Sequence, residues 1–217
     1  MAYDKNASIN IWVGNIGWYN EGYNTGDWFA LPMDREELWK EINKACKVDR
    51  FHEELWLQDW EVPYGNVGEY ESIDDLNALA AAIDSASEWQ LEAAEAYIDY
   101  NGQYSAIECA NIIMDADNIS FIGYSFDVGS NEENYGYTLA DMDGTLQYLR
   151  ERGLEDYFDF ERYGSDDSDV YLTDEGYLCL SGDDPSTNDY TALEILAEEG
   201  YYTEPDEDEG EEEFDYE

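Results

Sequence analysis

Between Arg50 and Arg150 the chain contains no Lys or Arg, yet this interval is rich in Asp and Glu and carries apolar residues at helical spacing. Such a segment has few ways to fold. Its apolar positions must gather on one face of each element, and its carboxylates must turn outward, because the interval holds no basic side chain to pair with them. The whole chain shares the imbalance: 55 Asp and Glu against 9 Lys and Arg give a formal net charge of −46. Acidic disordered chains are poor in aromatics and cannot bury enough surface to offset chain entropy. Here 43% of residues are hydrophobic and 16% aromatic, so a folded protein with an unusually acidic exterior is expected.

Self-repulsion at this charge opposes compaction, so solubility alone does not account for it. Three kinds of partner fit: metal cations, basic proteins such as histone-like proteins, and proteins that bind nucleic acid. Nucleic acid itself and anionic membranes are excluded as direct partners, because they would repel the surface. Scale favours the DNA-binding protein. B-form DNA carries one charge per about 1.7 Å of axis, so a charge of this size matches ~80 Å of duplex, or roughly 23 base pairs.

Cys46, Cys109 and Cys179 are widely spaced and odd in number, and no CxxC pair, signal peptide or long apolar run is present. Reduced, buried thiols in a cytoplasmic protein are expected. The single histidine, His52, leaves no His-based metal site and argues against a Ser-His-Asp hydrolase.

Along the chain, residues 8–13 alternate as a strand and lead into a Gly-rich turn over 14–26, with 27–31 as the returning strand. Asp34, with Glu37 three residues on, opens a helix carrying Leu38, Ile42 and Ala45 on one face. Residues 55–62 read as another strand. Helices follow at 74–86, at 88–100 capped by Ser87, and at 106–115 opened by Ser105 with Glu108. A strand is expected at 119–126, a polar loop at 127–137, and a helix at 138–152 closed by Gly153. A short helix at 154–163, a hairpin of 170–172 with 177–180, and a last helix at 190–199 complete the pattern. Residues 203–217 are almost wholly acidic and are expected to be disordered. The fold class is therefore α+β. Its expected divisions are an N-terminal α+β domain (1–66), a central helical domain (67–117), a C-terminal α+β domain (118–182) and an acidic helical extension with a tail (183–217).

The candidate interaction surface lies on the central helices: Asp74, Asp75, Asp84, Glu88, Glu92, Glu95, Asp99, Glu108, Asp115 and Asp117. Glu88, Glu92, Glu95 and Asp99 recur at intervals of four, three and four, which puts them on one helix face. An ordinary solvated helix would mix signs and form Glu–Lys pairs at this spacing; this one has no Lys or Arg to do so.

Other constellations carry little. With so many acids, carboxylate pairs of the glycosidase kind arise by chance. Asp141-Met142-Asp143-Gly144 reaches its Gly two residues too early for an EF-hand, and Asp206-Glu207-Asp208-Glu209-Gly210 lacks the third acid. The stretch from Gly14 to Gly22 lacks the P-loop Lys, and Glu21 and Asp27 would repel phosphate. Trp12, Trp18, Tyr19, Trp28, Trp39, Trp56 and Trp60 have no cationic groove in which to stack bases, and are expected in the core. No catalytic residue, metal site or cofactor is expected.

Ile11-Trp12-Val13-Gly14-Asn15-Ile16-Gly17-Trp18-Tyr19-Asn20-Glu21-Gly22, followed by Gly26-Asp27-Trp28-Phe29-Ala30-Leu31-Pro32, resembles the opening of ArdA-type antirestriction proteins. Two further stretches are similar to that family: Asp59-Trp60-Glu61-Val62-Pro63 through Tyr70 to Asn77, and Leu154-Glu155-Asp156-Tyr157-Phe158-Asp159-Phe160-Glu161-Arg162-Tyr163-Gly164. The resemblance covers roughly residues 8–182. It implies an elongated protein of about three small domains, dimeric through its C-terminal part, where Tyr157, Phe158, Phe160 and Tyr163 are candidate contacts. It further implies an acidic surface that imitates bent B-form DNA and blocks Type I restriction–modification enzymes in the bacterial cytoplasm. Genes of this kind travel on phages, plasmids and conjugative elements. Residues 183–217 extend beyond the family's usual end, and Phe160-Glu161-Arg162 departs from its more typical Tyr-Glu-Ala.

Overall fold

The computed structural model describes residues 3–165, 169–181 and 189–203. In chain order its elements are β1 (Ile9–Asn15), α1 (Ile16–Asn20), β2 (Gly26–Leu31), α2 (Arg35–Ala45), β3 (Leu55–Glu61), α3 (Ile73–Ser85), α4 (Glu88–Asn101) and α5 (Ala106–Met114). They continue as β4 (Phe121–Gly123), α6 (Asn131–Met142), α7 (Thr145–Arg152), α8 (Phe160–Ser165), β5 (Val170–Leu172), β6 (Gly176–Cys179) and α9 (Ala192–Glu198). Helices and two three-stranded sheets make this a mixed α/β chain. The described residues fall into two compact units. One draws on Met1–Pro63, Val67–Ser85 and Tyr190–Glu217, the other on Tyr64–Asn66 and Ala86–Asp189. The helices read together as a central domain are thus divided: α3 joins the first unit, α4 and α5 the second. The expected acidic tail beyond residue 203 lies outside the described residues.

In the first unit, β1 is the middle strand of an antiparallel sheet of order β2-β1-β3, pairing Ile9 with Leu31 on one side and Asn10 with Glu61 on the other. A middle strand with both faces covered buries its polar residue as well as its apolar ones. Asn10 is buried, and it is satisfied by accepting from Asp4 N–H (3.1 Å) and donating to the Asp4 carbonyl (2.9 Å). Asp34 caps α2 as its position suggested, accepting from Glu37 N–H at 3.0 Å. The stretch read only as a turn contains α1, a five-residue helix that Asn15 caps by accepting from Gly17 and Trp18 N–H.

Helix α3 departs from a simple amphipathic pattern. Leu76, Asn77, Ala78, Leu79, Ala80, Ala81 and Ala82 are consecutive and all buried. A helix buried all round needs cover on more than one side, and β1, β2 and α9 supply it. The one polar member, Asn77, accepts from Met33 N–H (2.9 Å) and donates to the Met33 carbonyl (2.8 Å), tying α3 to the chain between β2 and α2.

In the second unit an antiparallel sheet of order β4-β6-β5 packs with α4 and α6; α5 lies on α4, and α7 and α8 lie on α6. The expected strand at 119–126 shrinks to β4, and the expected loop at 127–137 is largely helix. Ser130 caps α6 by accepting from Glu133 N–H (3.2 Å), and the acidic first turn complements the helix N-terminus. The single helix expected over 138–152 is two, because Gly144 turns the backbone into the left-handed region (φ 83°) between α6 and α7. Ala140, Leu146, Leu149 and Phe160 form a core against which Phe126, Tyr137 and Phe158 pack.

Candidate interaction surface

Most of the candidate carboxylates lie in the second unit, on or beside α4. Ser87 closes a capping box with Gln90 at the helix start. The buried positions Ala93, Ala94, Ala96 and Ile98 turn one face inward. Glu88, Glu95 and Asp99 are left exposed on the other, and Glu92 is half-buried at its edge. Among the described residues none of these four joins an ion pair. The only bases in the unit's sequence are Arg150, Arg152 and Arg162.

Glu92, Glu95 and Asp99 form one wall of a concave cleft of about 300 Å³ that also has Asn131, Asp174 and Glu175 in its lining. The hairpin between β5 and β6 therefore adds two carboxylates that the sequence did not associate with α4. Their influence is felt there. Burial first, then Glu175 and the neighbouring acids Glu88 and Glu95, push the Glu92 carboxyl above its ordinary value. Burial, Asp99 and Glu175 do the same to Glu95. Two phenols report the same field. Tyr64 is pushed up to about 12 by burial and then by Glu95 and Asp99. Tyr124 is raised by burial and then by Glu132 and Asp174.

The remaining candidates have more local tasks. Glu108 accepts from Ser105 N–H (2.8 Å) and Oγ (2.7 Å) at the start of α5, and these bonds hold its carboxyl below the ordinary value. Asp117 accepts from Gln90 Nε2 (3.3 Å) and is exposed, whereas Asp115 is buried at the end of α5. In the first unit, Asp84 is exposed and accepts from Ser8 Oγ. Asp75 is half-buried, and burial raises its carboxyl. Asp74 is already neutralised, held 2.8 Å from Arg35 Nη2 and 2.8 Å from Trp39 Nε1.

Of the candidate dimer contacts, Tyr157 is 86% exposed and Tyr163 is exposed, Phe158 is half-buried, and Phe160 is a core residue stacked on Tyr137 at 3.7 Å. Among the described residues no group of three or more His, Cys, Asp or Glu is arranged to hold a metal ion, and no helix is long and apolar enough to cross a membrane. Cys46 and Cys109 are buried, and burial pushes the Cys46 thiol up to about 12, far from a reactive thiolate.

Fold and surface together define a strongly acidic mixed α/β protein whose carboxylates, in the second unit, stand almost without counter-charges. The chain belongs to the ArdA family: the family model, described as antirestriction protein (ArdA), matches residues 11–179. No curated protein matches it. Membership makes it an antirestriction protein, one of a family of non-catalytic inhibitors of restriction enzymes.

Proposed function

We propose that the protein is a DNA mimic that occupies the DNA-binding channel of a Type I restriction–modification enzyme, in the cytoplasm of a bacterial host. The carboxylates of α4 take the place of backbone phosphates, and the channel's Lys and Arg side chains pair with them. The observation that carries this proposal is the α4 face itself, where Glu92, Glu95 and Asp99 share with Asp174 and Glu175 a cleft that has no base in its lining, and Glu88 extends the face one turn further. Holding so many like charges together disfavours the free protein and is relieved by a cationic partner. Both partners shed counterions on association, so affinity falls with salt. On the same proposal the active form is a homodimer, with Tyr157 and Tyr163 as the accessible contacts.

A competition experiment tests the proposal. The protein is titrated into a Type I restriction enzyme bound to labelled duplex, at low and at physiological salt. Displacement at near-stoichiometric protein, weakening as salt rises, is the expected result. Inhibition of cleavage with the duplex still bound would overturn mimicry and leave the antirestriction activity to another mechanism.

A further inference from the structure

Residues 190–203 lie beyond the span matched by the family model, yet they belong to the first unit. Helix α9 begins with a capping box: Thr191 Oγ1 accepts from Glu194 N–H (3.3 Å), and the Glu194 carboxylate accepts from Thr191 N–H (2.8 Å). Ile195 and Leu196 are fully buried and Ala192 nearly so, and the helix lies along α3. The alanines of α3 (Ala78, Ala80, Ala81 and Ala82) are all buried and leave little side-chain bulk around that helix. After the helix, the Tyr201 carbonyl accepts from Arg35 N–H at 2.8 Å, and the Tyr202 ring sits 5.5 Å from the Arg35 guanidinium.

We propose that α9 is a clasp for the first unit. It returns from beyond the second unit in sequence, packs on the buried helix α3, and fastens to the first residue of α2. Seven residues are too few for a helix that is stable alone, so α9 folds as it docks. Release of the clasp therefore unfolds it and bares the α3 face in one step. Because residues 86–189 lie between α3 and α9, the first unit finishes its core only after most of the second has been made.

Hydrogen exchange on the full-length protein tests this. Leu196→Asp, on the buried side of α9, is expected to speed exchange of the α3 amides by roughly tenfold or more and leave α6, α7 and α8 unchanged. Leu193→Asp, on its exposed side, is expected to leave α3 protected. A synthetic peptide of residues 189–203 is expected to restore α3 protection in Leu196→Asp, saturably. Should Leu196→Asp fail to fold, Leu196→Ala is read in the same way. Unchanged α3 exchange, or equal loss of protection in α6 to α8, would overturn the clasp.

Discussion

The imidazole of His52 lies flat against the indole of Trp18, with ring centroids 3.9 Å apart and planes 15° from parallel. Residues of the N-terminal motif surround it. Asn15 Nδ2 donates to the His52 carbonyl (2.8 Å), Gly17 leaves room for the ring (a Cβ there would stand 2.8 Å from His52 Cδ2), and Glu21 Oε1 lies 3.3 Å from Nε2. Asp49 Oδ1 lies 2.9 Å from Nδ1. The motif that identifies the family thus builds a socket for one side chain.

A pH dependence follows. Asp49 first, then Glu21, raise the His52 pKa above its ordinary value of about 6.5. A group whose pKa is higher in the folded state contributes its stabilisation fully below the unfolded pKa and loses it as pH rises through the folded one. His52 is the sole histidine, so its ring protons titrate alone in an NMR experiment. The midpoint is expected above 6.5, with Asp49→Asn lowering it more than Glu21→Gln. Thermal stability is expected to decline across that midpoint in the native protein and to stay flat there in His52→Gln. A midpoint below the ordinary value would mean that the two carboxylates do not hold the ring in solution.

Asp74 supplies a contrast within the candidate surface. Its Oδ2 accepts from Arg35 Nε (3.1 Å) and Nη2 (2.8 Å), and Oδ1 accepts from Trp39 Nε1. The pair is partly exposed, so screening limits its worth. Asp74→Ala is expected to cost about 1–2 kcal/mol, partly by leaving Arg35 and Trp39 unpaired. Inhibition by the folded fraction should not change, because this carboxylate is already neutralised within its own unit. Denaturant midpoints and an inhibition titration on the same preparation separate the two effects.

Two glycines fix how α6 meets α8. A Cβ at Gly136 would stand 1.9 Å from the Phe160 carbonyl oxygen, and one at Gly164 would stand 2.1 Å from the Glu132 carbonyl oxygen. Both obstacles are backbone and cannot swing aside. Gly136→Ala and Gly164→Ala are each expected to destabilise the protein by about 1–3 kcal/mol or more through forced separation of the helices. At exposed Gly123, where a Cβ would meet nothing closer than 3.8 Å, alanine should cost far less. Thermal melts of the three variants decide it; equal melting temperatures would refute the close approach.

Local signals served the sequence reading best. Asp34, Ser87 and Ser105 marked the starts of α2, α4 and α5 because each pairs with a residue three positions on. The strands β1 and β2 were legible from their alternation and from the Gly-rich stretch between them. Helix α6 was not, because its first turns are polar and read as a loop, and the glycine within it, Gly136, makes room for the neighbouring α8 backbone. The break at Gly144 was hidden by apolar spacing that continues across it. The candidate acids of α4 stood out as a helix face, but Asp174 and Glu175 come to it through the hairpin, and the partner of Asp74 lies on α2. Nothing in residues 190–203 told that they dock on α3. These are tertiary relations, and composition and periodicity do not carry them.

The strongest separation of fold from function comes from α4 itself. Glu88 with Glu92, Glu92 with Glu95, and Glu95 with Asp99 are like-charge pairs on one helix face, each unfavourable by a few tenths of a kcal/mol. Stepwise Glu92→Gln, Glu95→Gln and Asp99→Asn should therefore raise stability, by a few tenths of a kcal/mol per relieved pair, whereas Glu88→Gln should be near neutral, because Glu88 also favours the N-terminus of α4. If the face substitutes for phosphates, the same series should weaken inhibition a little at each step and lower the salt dependence of binding by about one charge per lost contact. For Glu92, Glu95 and Asp99 the two effects have opposite signs, so loss of inhibition at those steps is not a loss of fold. Thermal melts and competition against labelled duplex, run on the same four variants, measure both. Full inhibition by the quadruple variant would remove α4 from the interface, and abolition by the first step alone would point to a single specific contact in place of a distributed one.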